Sequence, residues 1–284
     1  MRRVLGTALP KFLRFLDAAA SHLLLNMVLL SNPSPPIPVA TSHWALVMQT
    51  RLNEMRDNGV WFTDGDSPSC LAHVDSKGRI QLATWADDPK SAVELAVEAA
   101  GALIEARQNI TFAALDRRLL QPLTAALAAK EYERTWHSPC GLYRATGAAS
   151  PITATSTMRP LRESDAPLVN DRWTYKSETS LEERVIPMIR SGVGCVGVES
   201  ESGVLCGWVL RYQDGPLGML WVEEAHRRKG YARRLIERAR ADLEAQGRPC
   251  FCYIVDGNVA SETLFKGAGW ERVADADWVG FSPK

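Results

Sequence analysis

The chain has 284 residues, long for one domain and comfortable for two. Its 46% apolar content can build real cores, which excludes disorder as the default, and 33 basic residues balance 33 acidic ones. Zero net charge argues against a protein that coats nucleic acid, and no run reaches the ~18 apolar residues a membrane span needs.

At the N-terminus Arg2, Arg3, Lys11 and Arg14 precede the first acid, Asp17, with apolar residues between them. That pattern fits a mitochondrial presequence as well as an ordinary first helix with Leu13, Leu16 and Ala20 on one side, so mitochondrial and cytoplasmic locations both stay open. Trp44 to Gln49, Val60 to Thr63, Cys70 to Val74 and Ile80 to Trp85 read as strands, with Lys77-Gly78 in a turn. Residues 91–106, rich in Ala, Val, Leu and Glu, read as helix. Ile110 to Leu115 reads as a strand, followed by a helix around Leu119 to Ala129.

Residues 145–157 carry no charge and no large aromatic side chain. This is the most linker-like stretch, and it divides the chain into domains 1–150 and 151–284.

Beyond it the pattern sharpens. Met158 to Leu161 reads as a strand, and Ser164 and Asp165 can cap a helix through Val169 and Trp173, with Pro167 in its first turn. Ser180 to Arg190 reads as a second helix. Cys195 to Glu199, Val204 to Tyr212 and Leu217 to Val222 read as strands, with Asp214-Gly215 marking a tight turn. A helix from Tyr231 to Ala245 has Ala232, Leu235, Ile236, Ala239 and Leu243 in the helical period. Cys250 to Val255 is a strand, Asn258 opens a helix through Leu264, Gly269 ends it, and Trp278 to Phe281 is a last strand.

One echo links the halves. Ile110 to Leu115, a helix, then Tyr132-Glu133-Arg134 parallels Phe251 to Val255, a helix, then Trp270-Glu271-Arg272. The order suggests a duplicated fold whose first copy lacks the loop described next.

The six cysteines show no zinc spacing and no dense framework; Cys250 and Cys252 share one face of a strand and read as small apolar residues in a reducing compartment. His22, His43, His73 and His137 lack metal-ligand spacing, and no metal is expected.

The chemistry lies in Arg227-Arg228-Lys229-Gly230-Tyr231-Ala232, which has the spacing Arg/Gln-x-x-Gly-x-Gly/Ala between a strand and a helix. Backbone amides at a helix N-terminus, cleared of bulk by Gly230 and Ala232, form a site for pyrophosphate. The setting points to the nucleotide tail of coenzyme A.

The whole arrangement resembles the GNAT superfamily of N-acetyltransferases over residues 158–281. The resemblance rests on that loop, on Asn258-Val259-Ala260-Ser261 followed by Leu264-Phe265 and Gly269-Trp270, and on the opening Met158 to Asp165. Gly218-Met219-Leu220, His226 to Arg233, Val169-Asn170-Asp171-Arg172-Trp173 and Cys206 to Leu210 further resemble the glycine N-acyltransferase family. That resemblance implies an α/β (α+β) chain of two GNAT-like halves, with mixed, mostly antiparallel sheets flanked by helices. The N-terminal half would be degenerate, and the acyl-CoA site would lie in the C-terminal half.

The activity implied is transfer of an acyl group from coenzyme A to the amino group of a small acceptor such as glycine, by direct attack in a ternary complex. The protein would act as a monomer, with neither nucleic acid nor membrane as partner. The loop amides from Arg228 to Ala232 would hold the pyrophosphate, and Arg227, Arg228, Lys229 and Arg233 would neutralise phosphates. The edge of Leu220-Trp221-Val222 would pair with the pantetheine amides, and Asn258 and Ser261 would touch the pantetheine arm.

A general base must take the proton of the arriving ammonium. Where that family often carries Glu, this chain has Ala225, so Glu223 is favoured, Glu224 second and His226 third. Phe265 stands where many superfamily members have a Tyr that protonates the leaving thiolate; either solvent or another group, Tyr253 or Tyr231, serves instead, or no acid is required because the thiolate leaves readily. Alternative readings are a general N-acetyltransferase for a polyamine, peptide or protein amine, and a non-catalytic acyl-CoA-binding module.

Overall fold

The computed structural model describes residues 42–55, 60–63, 69–75, 77–147 and 157–284. The basic N-terminal stretch, and residues 148–156 of the uncharged stretch, lie outside the described residues. Compactness divides the chain into a first unit ending at Cys140 but also taking Ala274–Lys284, and a second unit of Gly141–Val273. The final strand thus begins in the second unit and ends in the first.

The first unit opens with α1 (His43–Met55), then β1 (Val60–Thr63), β2 (Cys70–Val74) and β3 (Arg79–Thr84). α2 (Lys90–Ala99), α3 (Gly101–Glu105), β4 (Ile110–Asp116) and α4 (Leu120–Ala128) follow, and then the start of β5 (Tyr132–Ala145). β1, β2 and β3 pair antiparallel, β3 and β4 pair parallel, and β4 pairs antiparallel with the C-terminal part of β11 (Trp270–Pro283). α2 is the crossover that the parallel step requires. Ala92, Leu95, Ala96 and Ala99 of α2 pack with Leu123 and Leu127 of α4 over Ile80, Leu82, Ile110 and Phe112 of the sheet.

Two expectations are corrected here. Trp44 to Gln49 is helix, not strand: Trp44, Ala45, Val47, Met48 and Arg51 are buried at helical spacing, and the run Trp44–Met48 is too short for its apolar residues alone to set the period. The helix expected over 91–106 is two helices meeting at Ala100-Gly101. His73 is fully buried and accepts a hydrogen bond at Nδ1 from Arg51 Nε at 2.9 Å, and His137 lies 3.2 Å from the buried carboxylate of Asp277.

The second unit contains the end of β5, then β6 (Met158–Pro160), α5 (Ala166–Arg172), a single π turn at Leu181–Val185, and α6 (Ile186–Ser191). β7 (Val196–Glu199), β8 (Leu205–Arg211), β9 (Leu217–Val222), α7 (Tyr231–Glu244), β10 (Phe251–Val255), α8 (Val259–Gly267) and the start of β11 complete it. Strand order is β6-β7-β8-β9-β10-β5. The first four run antiparallel; β9 and β10 are parallel, with α7 as the crossover.

Two helical layers cover this sheet. Leu235, Ile236, Ala239 and Leu243 give α7 a continuous apolar stripe that packs, with Phe265 of α8 and Trp270, over Val209, Leu217, Val222 and Cys252. A second cluster joins Val169, Val185, Met188 and Ile189 to Cys195, Trp208 and Leu210. Asp165 fixes the entry to α5: its carboxylate accepts from the Arg162 amide at 2.7 Å and from Arg159 at 2.7 and 3.1 Å.

The strand expected at Trp278 to Phe281 is the end of a 14-residue strand, and β5, of the same length, opens on Tyr132-Glu133-Arg134 of the echo but was not expected as a strand. Among the described residues, no helix is long and apolar enough to cross a membrane.

Candidate active site

The site is built where β9 and β10 part. Their only register pair is Leu217 with Cys252, so beyond Leu217 the edge of β9 that faces β10 lacks a strand partner. Being parallel, the two strands deliver their following loops to the same edge of the sheet, which is where ligands bind in such arrangements. One loop leads to α7, the other to α8.

β9 is irregular. Met219 has φ +50°, and the β8–β9 register shifts between Trp208 and Leu210, the signature of a bulge. Gly218 is required beside it, because a Cβ there would collide with Cε2 of the Tyr212 ring. Leu220 packs on the α7 side with the cluster of Leu235 and Val222, and Trp221 packs on the α5–α6 side with Trp208 and Leu210.

After Val222 the chain holds to β8 for one more residue, Glu223 N donating to Cys206 O at 2.8 Å. A short 3₁₀ turn over Glu224–His226 follows. Glu223 is half-buried, and its Oε1 accepts from Arg172 Nε at 3.0 Å. Arg172 also pairs with Asp171 at 2.6 Å, and Asp171 in turn with Lys176 at 3.0 Å. Glu224 is exposed, and His226 lies beside Tyr231 with ring centres 6.3 Å apart.

The glycine-bearing loop takes two left-handed residues, Arg228 at φ +61° and Gly230 at φ +77°. Such alternation turns successive N–H groups toward one concavity. Arg234 N, donating to Gly230 O at 3.2 Å, makes the first bond of the helix ladder. The amides of Tyr231, Ala232 and Arg233 therefore have no intrahelical acceptor and point out of the helix start. Gly230 has open space around its Cβ position, so its role is conformational.

The cations of the loop divide. Arg228 and Lys229 are exposed, and neither side chain has an ion pair among the described residues. Arg233 is paired with Glu237 at 2.8 Å, and Arg234 stacks on Tyr231 at 4.7 Å. Arg227 turns back, its Nε donating to Val222 O at 3.0 Å and its guanidinium lying over Trp221 at 5.1 Å.

At the head of α8, Asn258 Oδ1 accepts from Ser261 N at 3.1 Å, an N-cap. The cap leaves the Asn258 amide NH₂ group for other partners. Phe265, where a proton donor would be sought, is buried edge-on against Trp270, ring centres 4.9 Å apart, and is a core residue. Sequence reasoning missed the partner of Glu223: Arg172 lay in a motif already singled out, but nothing in the sequence joins it to a position 51 residues away. Among the described residues no group of three or more His, Cys, Asp or Glu could hold a metal ion.

The comparisons agree with this geometry. The family model described as FR47-like protein matches residues 193–279, the segment from β7 into β11 that contains the opened strand pair and both loops. A Drosophila protein of solved structure superposes with a TM-score of 0.71 at 19% identity, over 85% of this chain and 91% of that one. A GCN5-related N-acetyltransferase from Kribbella flavida gives 0.55 at 12% identity, over 85% and 96%. A tandem GNAT protein from the clavulanic acid biosynthesis pathway gives 0.51 at 13% identity, over 90% and 91%. No curated protein matches in sequence. The chain has a mixed α/β fold, mostly antiparallel and flanked by helices, similar to the folds of GNAT acetyltransferases.

Proposed function

We propose that the protein is an acyl-CoA-dependent N-acyltransferase, acting on a small amine, glycine or another amino acid, by direct attack in a ternary complex. One observation carries the reading: an unpaired β9 edge and a loop of outward-facing amides stand at the same edge of the sheet. A pantetheine arm is a short amide-bearing chain that can add to such an edge as a strand would, and its pyrophosphate suits the amides from Arg228 to Ala232 at the positive end of the α7 dipole.

In this reading Arg228, Lys229 and Arg233 offset phosphate charge. Leu220, Trp221 and Val222 flank the pantetheine and thioester, and Asn258 and Ser261 meet the arm from α8. Backbone amides of the bulged β9 stabilise the oxyanion that forms as the amine attacks. Glu223, fixed by Arg172, takes the ammonium proton directly or through water, with Glu224 next in reach along the chain. Phe265 cannot supply a proton, so the leaving thiolate departs as such or is protonated by solvent or a tyrosine.

We further propose that the first unit is a degenerate copy. It runs β3, α2, β4, α4, β5 with a parallel β3–β4 step, as the second unit runs β9, α7, β10, α8, β11 with a parallel β9–β10 step. Where the second unit has Arg228 and Lys229, the first has Asp87 and Asp88 before Pro89, whose ring lacks an N–H. Such a turn repels phosphate.

The testing experiment is a thiol-release screen of purified protein, with acetyl-, benzoyl- and longer acyl-CoA donors against amino acids, polyamines and peptides. Amino-acid-dependent thiol release supports the proposal. A polyamine or peptide as sole acceptor would redirect it to a general N-acetyltransferase, and coenzyme A binding without thiol release to a binding module.

A further inference from the structure

Arg227 opens the phosphate-like loop, yet its side chain does not follow the loop. It is anchored twice, by Nε on Val222 O and by its guanidinium over the Trp221 ring. Trp221 packs with Trp208 and Leu210 on the α5–α6 side of the sheet, not with the cluster under α7. The guanidinium is therefore held on the α5–α6 side of β9, while the loop amides belong to the start of α7.

The carboxylates of α5 and of the end of β9 are paired with cations other than Arg227. Asp171 is shared by Arg172 and Lys176, and Glu223 is held by Arg172. Arg227 has no acidic partner among the described residues. With Nε committed, its two terminal nitrogens are left to face a ligand as a fork. Beside it the indole Nε1 of Trp221 is buried without a hydrogen-bond partner, a second donor waiting for an acceptor. A fixed cation and a buried N–H complement an anionic end, and the carboxylate of Glu223 a short way along the chain, held by Arg172 at one oxygen only, can accept from an ammonium end with the other.

We infer that Arg227 binds the carboxylate of an amino-acid acceptor rather than a phosphate of coenzyme A. The inference rests on the N-acyltransferase reading and assigns the specificity of the same site. Glu223 serves the ammonium end and Arg227 the carboxylate end. Amines without a carboxylate lose the second contact.

The test uses Arg227→Gln and Arg227→Lys with two paired acceptors, glycine and glycinamide. The wild-type protein should prefer glycine. Arg227→Gln should raise KM for glycine about tenfold, the loss of one charged hydrogen-bonding partner, with the KM values for glycinamide and acyl-CoA unmoved. Arg227→Lys should recover part of the preference. A rise in the acyl-CoA KM, an equal loss on both acceptors, or a wild type indifferent to the carboxylate would overturn the inference. Calorimetric titration with N-benzoylglycine and its neutral amide reads the same preference without turnover. Wild-type protein that binds the acid over the amide but releases no thiol would keep the assignment and remove only the catalytic reading. Binding both alike, or neither, would remove the assignment. Thermal melts of the variants within a few degrees of wild type exclude loss by unfolding.

Discussion

Arg172 Nε meets Glu223 Oε1 at 3.0 Å, tying the last residue of α5 to the residue after β9. Both side chains are partly exposed, 38% and 27%, so the pair contributes no more than about 1 kcal/mol to stability. Its consequence is geometric: Oε1 of Glu223 is held by Arg172, which fixes where the carboxylate stands just after β9. Glu223→Gln should melt near wild type and lose most turnover at every pH from 7 to 9. Arg172→Ala should lower kcat less, with partial recovery in Arg172→Lys. Unchanged turnover in Glu223→Gln would remove Glu223 as base.

Gly230 sits at φ +77° with open space around it. Gly230→Ala should cost roughly 1–2 kcal/mol from backbone strain alone. Because the strain reorients the amides of the loop, affinity for coenzyme A should fall, as read by calorimetry, while a melt reports the smaller stability loss. Full affinity in this variant would separate the loop from the phosphates.

Gly218 is a packing glycine. The methyl of Gly218→Ala would collide with the Tyr212 ring, whose burial pushes its hydroxyl pKa up to about 12. A cost of about 1–3 kcal/mol is expected, as for other overpacked sites. The neighbouring bulge at Met219 should shift with it, so turnover should fall more than stability. A melt and a rate unchanged from wild type would contradict the contact.

Asp165 gives the second unit an acid-sensitive joint. Burial raises its pKa, but hydrogen bonds from Arg159 and from the Arg162 amide, with both guanidinium charges, outweigh burial and hold it below its ordinary 3.8. A carboxyl depressed on folding adds stability that is fully present above about pH 4 and disappears as pH falls through the folded value. Asp165→Asn should cost about 1–3 kcal/mol at neutral pH, and its deficit against wild type should shrink below pH 4. Denaturant melts across pH 2 to 7 measure this; a constant deficit would contradict it.

All six cysteines are free and buried, and burial raises Cys250 to about 12 and Cys252 well above its ordinary value. The native protein at pH 8 should therefore react slowly with a thiol reagent at both, and all six should react on unfolding. Rapid native labelling of Cys250 or Cys252 would show the strand to be open.

The segment from β9 to α8 was legible because each step is local. Alternating strands, a turn needing positive φ at Gly230, an amphipathic helix and an Asn cap follow one another within a few dozen residues. The first unit was harder to read. The run Trp44 to Met48 is apolar throughout and carries no period, and β5 contains Pro139 and Gly141, which break the appearance of a strand that the sheet nonetheless enforces. Within the site, sequence named Glu223 but could not show that Arg172 holds it, nor that Arg227 turns back onto Trp221. Both are contacts made by folding, not by spacing.

The central claim, acyl transfer from coenzyme A to an amino acid, is tested most directly by measuring product and thiol together. Purified wild-type protein with benzoyl-CoA or acetyl-CoA and glycine should yield free coenzyme A and N-acylglycine in equal amounts, by thiol assay and mass spectrometry, and neither without the amine. Thiol release that does not depend on the amine, or tight coenzyme A binding with no N-acyl product for any amino acid, would contradict it.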